Sequence, residues 1–224
     1  MALTFAPAKS FSQQFGVKAM IFGPPGTGKT PICNTAPRPI LCASEPGLLS
    51  MRGSDVMTCE AYTAADIAEF YRWLASSQEA KQFDTVCVDS ISQQAEIILQ
   101  DEMPRHKDPR KAYGELSKTM MKYLGDLYYT RNKHTYLICK QTSRQENGID
   151  KRMPYFPGQD LTVKVPHLFD EILHLDTHNV PQVGAVKAFR CHGDYATLAR
   201  DRSGRLAEFE QPDLTVLFNK ITQG

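Results

Sequence analysis

An α/β fold built on a mainly parallel sheet is what this sequence predicts, and three observations predict it. Short, continuous apolar runs (VKAMIF, PILCAS, DTVCVD and TYLICK) alternate with segments of helical apolar spacing, the pattern of strands covered by helices on both faces. A glycine-rich stretch, GPPGTGKT, directly follows the first of these runs. Near the C-terminus, AVKAFRC and YATLAR follow EILHLDT at short spacing and read as an antiparallel strand pair that extends the sheet.

In chain order, the first strand is Val17 to Phe22, and the short helix after the glycine-rich turn must stop by Pro37. A second strand, Pro39 to Ser44, leads into a loop with Glu45 and Gly47. Residues 63–75 carry apolar groups at helical spacing (Ile67, Phe70, Tyr71, Leu74), with Thr63 or Ala64 near the start. A third strand, Asp84 to Asp89, precedes a helix through Ile91, Ile97, Ile98 and Leu99. RHKDPRK (Arg105 to Lys111) is too charged and proline-interrupted for a core. Helical spacing returns from Tyr113 to about Thr130, and a fourth strand spans Thr135 to Lys140. Gln141 to Leu161 is polar and rich in Gly and Pro, which reads as a long loop. Phe209 to Ile221 closes the chain as a helix. The 224 residues fit a single domain, with 1–16 as an N-terminal arm.

Composition narrows the function classes. Hydrophobic residues at 42% and charged residues at 23% describe an ordinary globular chain, and the net charge of +1 gives no global attraction to polyanions. Any nucleic-acid site must come from local clustering. The six cysteines show no paired spacing, and Cys42, Cys87 and Cys139 fall inside apolar runs, the usage of a reduced, cytoplasmic protein. No segment has the length and apolarity of a membrane span or secretion signal, so no membrane partner is expected. The six histidines have no metal-ligand spacing.

GPPGTGKT matches the phosphate-binding pattern G-x-x-x-x-G-K-T at every fixed position. In such a loop Gly23, Pro24, Pro25, Gly26, Thr27 and Gly28 turn main-chain N–H groups onto phosphate oxygens, and the start of the next helix adds its positive end. Lys29 reaches the β- and γ-phosphates, Thr30 offers its hydroxyl to Mg²⁺, and Pro31 fits the first helical turn, where no N–H is needed. The expected ligands are therefore ATP and Mg²⁺. Asp89, at the end of an apolar run, is placed to hold a magnesium-bound water, or to cap the helix begun by DSIS. Hydrolysis also needs a group that orients or deprotonates water. Ser90 occupies the place next to the strand aspartate where many ATPases carry a glutamate, which leaves Glu45 as the candidate base, with a solvated loop carboxylate as the alternative.

The arrangement resembles the RecA-like ATPases. In that superfamily a glutamate after the second strand is the catalytic base, which the resemblance places at Glu45. Asp89-Ser90 matches the strand aspartate and serine, and Lys140 and Gln141 fall where a polar sensor faces the γ-phosphate. More narrowly, the chain is similar to phage-encoded, ATP-binding single-strand annealing proteins, on its length and on PGQDLTVKVPHLFDEILHL and ARDRSGRL. That resemblance implies single-stranded DNA as partner, assembly into homo-oligomers as rings or filaments, a link to a single-strand-binding protein, and slow, DNA-stimulated ATP hydrolysis in recombination. Phe5 to Ala8 matches the F-x-x-A docking pattern of some recombinases, although an ordinary tail reads the same way.

Two segments are candidates for DNA. Arg105, Lys107, Arg110 and Lys111 concentrate charge in one; Arg144, Lys151 and Arg152 with Tyr155 and Phe156 pair charge with rings in the other, which suits stacking of single-strand bases. Either also reads as a solvated surface. Among Arg200, Arg202 and Arg205, Arg202 is the candidate arginine finger for a neighbouring subunit, against an exposed hairpin. Competing classes are a replication ATPase such as a helicase loader and a small-molecule phosphotransferase. Asn132-Lys133-His134 lacks the aspartate that reads guanine, which disfavours a GTPase.

Overall fold

The structure is a computed structural model, and it describes residues 5–7, 14–146, 148–180 and 182–223. Six parallel strands form its centre: β1 (Lys18–Phe22), β2 (Pro39–Ala43), β3 (Met57–Glu60), β4 (Thr85–Asp89), β5 (His134–Cys139) and β8 (Glu171–Val180). Their order across the sheet is β3-β2-β4-β5-β1-β8. β5 therefore lies between the strand that feeds the glycine-rich loop and the strand that ends in Asp89. Beyond β8 the sheet turns antiparallel through β9 (Gly184–Arg190) and β11 (Phe209–Glu210), and β10 (Arg200–Asp201) pairs with the start of β8.

Alternation along β1 sends Met20 and Phe22 to one face and Ala19 and Ile21 to the other, and all four are buried. The first face packs under α1 (Ala64–Ser76), α2 (Ile91–Glu102) and α3 (Pro109–Tyr129), through Ile67, Phe70, Ile98, Leu116, Met120 and Leu124. On the second face lie Ile32 and Cys33 of a short 3-10 turn, and Leu214, Leu217 and Phe218 of α5 (Leu214–Thr222). Thr63 starts α1 through a reciprocal capping box with Asp66, which supplies partners for two otherwise orphaned amides.

Several expectations need correction. Gln141 to Leu161 is not a loop but a β-hairpin, β6 (Gln141–Glu146) with β7 (Ile149–Pro154), followed by the start of α4 (Gln159–Lys164). YATLAR does not pair with AVKAFRC; β9 pairs with β8, and only Arg200 of YATLAR enters a strand. β3 is an exposed edge strand whose sequence, MTCE, carries no apolar run to announce it. The closing helix begins at Leu214, after β11. The arm is described only in part: Phe5 is 90% exposed, and Ala8 of the F-x-x-A pattern lies outside the described residues. Among the described residues, no helix is long and apolar enough to cross a membrane.

At the start of β8, Glu171 is fully buried beside the Asp201 carboxylate. Burial first, and then the nearby Asp201 and Asp170 carboxylates, push its carboxyl up to about 8. A raised carboxyl pKa stabilises the fold fully below the unfolded value, and that contribution fades as pH rises through the folded value. Between pH 5 and pH 8.5 the wild type is expected to lose about 2–4 kcal/mol relative to Glu171→Gln. Urea unfolding at both pH values measures the difference, and parallel stability profiles would contradict it.

Candidate functional site

The glycine-rich loop leaves the C-terminal end of β1 and folds against β8. A Cβ on Gly23 would lie 2.1 Å from the Leu175 carbonyl oxygen, so only glycine fits here. Gly26 and Gly28 have φ of +77° and +80°, conformations that other residues rarely adopt. The Lys29 ammonium donates to the carbonyls of Gly23 (2.9 Å) and Pro24 (2.8 Å), and the Tyr136 hydroxyl donates to the Lys29 carbonyl at 2.9 Å. The helix after the loop is a six-residue 3-10 turn, Thr30–Thr35, with Pro31 in its first turn. Its dipole is smaller than that of a full helix, so loop amides and Lys29 provide most of the anion attraction.

Two oxygen pairs face this loop. The Thr30 hydroxyl donates to Asp89 at 2.5 Å, and the Ser90 hydroxyl donates to Glu45 at 2.6 Å. The same Ser90 oxygen accepts from the Gln93 amide and caps α2. Ser90 is thus the helix cap, and Asp89 is left to act with Thr30. Burial raises the Asp89 pKa; the Thr30 hydrogen bond opposes this, the Glu45 charge adds to it, and the Lys29 charge opposes it. Burial lowers the Lys29 pKa, while Asp89, Glu45, Cys139 and Asp176 pull it back.

These groups line one cleft of about 620 Å³, with Gly28, Lys29, Thr30, Glu45, Asp89 and Gln141 on its walls. The Thr30 hydroxyl and Asp89 carboxylate form a hard oxygen donor pair that fits Mg²⁺, an ion bound by few protein ligands together with water and phosphate. A family model described as an AAA domain matches residues 16–206. The chain belongs to the AAA-domain family. Nucleotide binding and ATPase chemistry follow from that membership. A KaiC-like protein from the hyperthermophilic archaeon Pyrococcus horikoshii OT3 is similar in structure over 88% of this chain and 82% of that chain, with 13% identity and a TM-score of 0.43. No curated protein matches the sequence.

The other expected site residues of this AAA domain are more dispersed. Gln141 and Lys140 both line the cleft, and the Lys140 ammonium is engaged by Gln93 (2.6 Å) and Glu96 (2.6 Å) on α2. Arg144 and Lys151 sit opposite each other on the hairpin, and Arg152 faces Ser143 on the other side, so Lys151 and Arg152 project from opposite faces. Lys151 approaches Glu146 at 3.5 Å. Tyr155 is half-buried, but Phe156 is only 3% exposed within the core beneath the helices. As a base-stacking residue, Phe156 is therefore withdrawn: its ring has no free face. Arg105 pairs with Asp101 and Glu102, while Arg110 and Lys111 belong to the first turn of α3. Lys107 is exposed between them.

Arg202 pairs with Asp170 at 3.2 Å, next to β10, which pairs with the first residues of β8. This is the sheet edge opposite the chain's own phosphate loop, because β8 runs parallel to β1. Arg202 thus adds nothing to the cleft within one chain. Sequence reasoning missed Ser90 as the Glu45 partner and Tyr136 as a loop anchor. It also missed Lys187 of β9, whose ammonium would lie 3.3 Å from a Cβ on Gly28. No spacing rule links residues 28 and 187; only the β8–β9 hairpin brings them together.

Proposed function

We propose that this AAA domain hydrolyses ATP with Mg²⁺ and uses the bound nucleotide to assemble on single-stranded DNA as a homo-oligomeric strand-annealing protein. The observation that carries the reading is the position of the β6–β7 hairpin. It begins at Gln141, a wall of the nucleotide cleft, and presents Arg144, Lys151 and Arg152 along its length. Beyond it, Tyr155 precedes Gly158, against which Tyr113 of α3 packs. Tyr113, two residues after Lys111, therefore lies beside the chain that leaves the hairpin. Basic groups beside a half-exposed ring suit a strand whose backbone is neutralised while a base stacks.

In the cleft, the loop amides and Lys29 hold the phosphates, and Glu45 takes a proton from the attacking water while Ser90 fixes the carboxylate. Thr30 and Asp89 would hold magnesium, which would neutralise charge on the phosphates. Gln141 offers a polar side chain on the hairpin side.

The test measures ATP hydrolysis with and without single-stranded DNA, together with DNA affinity across a salt series. DNA is expected to stimulate wild-type hydrolysis, with Lys29→Ala inactive in both conditions. The Lys151→Ala/Arg152→Ala double variant should bind DNA more weakly, its log–log salt slope flatter by about 0.7 per lost phosphate contact. Unchanged isotherms would remove the hairpin from the DNA site. Stimulation by a small acceptor alone, or by a helicase alone, would replace DNA with that partner.

A further inference from the structure

Gln141 has a fixed partner behind it. His174 of β8 is fully buried, and its Nε2 lies 3.0 Å from Gln141 Oε1. Across the sheet His174 stands opposite Phe22, the last residue before the phosphate loop, and their rings pack with centroids 4.9 Å apart. His178 meets the imidazole edge-on at 5.5 Å, and the Asp176 carboxylate lies 4.0 Å from Nε2. Contacts with Phe22, His178 and Gln141 therefore hold the ring in place.

The chemistry of this contact fixes which atom carries the proton. Burial above all, and then the His178, Arg152 and Arg190 charges, outweigh Asp176 and push the His174 pKa down to about 4, so the ring is neutral at neutral pH. A neutral imidazole nitrogen facing an amide oxygen must be the N–H donor, which puts the proton on Nε2 and leaves Nδ1 as a bare acceptor. Among the described residues Nδ1 has no hydrogen-bond partner, as this tautomer allows. With Oε1 engaged by His174, the free end of the Gln141 amide is its NH₂ group, which has only donors to offer the cleft.

We propose that His174 is a positioning residue that holds the Gln141 amide with its N–H donors toward the phosphoryl group being transferred. The proposal rests on the ATPase reading of the cleft. Charge develops on the phosphoryl oxygens as the terminal bond breaks, and a preset donor stabilises it, whereas a flipped amide would present its carbonyl oxygen and repel it. His174 itself touches neither the nucleotide nor the attacking water.

The experiment is a double-mutant cycle on ATP hydrolysis, with magnesium-ATP affinity measured by calorimetry on each variant. Gln141→Ala is expected to lower kcat by ~100-fold, the scale of a lost transition-state donor. His174→Ala should lower kcat by ~10-fold or more with the ATP Kd nearly unchanged, because only the transition-state contact is disturbed. His174→Gln places an N–H donor at similar reach and should restore most of the rate. In the Gln141→Ala background, removing His174 should cost less than about twofold, since the pair acts as a unit. Multiplying effects, or a His174→Gln variant no better than His174→Ala, would overturn the proposal. Should the alanine variant fail to fold, nitrogen NMR of the wild-type histidines decides: an Nε2–H tautomer at His174 supports the proposal, and Nδ1–H refutes it. Full activity of Gln141→Ala would remove Gln141 from catalysis, and the proposal with it, while leaving the ATPase reading intact. A wild type that hydrolyses no ATP would instead defeat the ATPase reading itself.

Discussion

Glu45→Gln is expected to bind magnesium-ATP within about threefold of wild-type affinity and to hydrolyse it ~10²–10⁴-fold more slowly, the contribution of a positioned general base. The substitution preserves shape and keeps an amide oxygen that still accepts from Ser90, so the 2.6 Å contact survives while basicity is lost. A rate effect without an affinity effect separates a base from a phosphate ligand. Glu45 stands with Lys29, Thr30 and Asp89 on the walls of one cleft. Single-turnover hydrolysis, with calorimetry on the same preparation, checks both halves. Near-normal turnover would move the base to another residue and leave the phosphate loop unaffected.

The second large effect belongs to Gly23→Ala. A methyl group there would sit 2.1 Å from the Leu175 oxygen and 3.2 Å from its carbon, and both are main-chain atoms of β8 that no rotamer change can move aside. The end of β1 must separate from β8, and the loop that follows must tilt with it. A stability loss of about 3 kcal/mol is expected, at the upper end of overpacking costs. ATP affinity should fall by ~100-fold or more, because a small misplacement of the loop disturbs all its phosphate contacts together. Urea unfolding and calorimetry measure the two losses. A variant with wild-type stability would mean that the contact between β1 and β8 is looser than the structure shows.

Much of this architecture was legible in the sequence because the informative signals were local. Val17 to Phe22, Asp84 to Asp89 and Thr135 to Lys140 are apolar on both faces and are bounded by turns, so their burial could be read directly. The phosphate loop was legible for the same reason: its chemistry lies in eight consecutive residues. The hairpin 141–154 was not, since its exposed strands carry polar residues such as Ser143, Arg144 and Lys151 and lack the alternation that a half-buried strand shows. Phe156 misled because an aromatic ring next to basic residues suggests stacking, while it is buried in the core cluster between sheet and helices. Ser90 stands in the sequence as the serine after the strand aspartate and in the place of a glutamate, and neither reading names its partner. Its contact with Glu45 spans 45 positions, a distance that no local pattern encodes.

One hydroxyl at position 90 answers two demands at once. It accepts a hydrogen bond from the Gln93 amide in the first turn of α2 and donates one to Glu45. Aspartate could meet the first demand but has no hydrogen to give, and it would crowd a third acid beside Asp89 and Glu45. Alanine meets neither demand. Asparagine can do both, but only by reaching one atom farther. Across kindred sequences that keep a glutamate at the place of Glu45, this site should vary between serine and threonine and little else, while its neighbours along α2 drift freely.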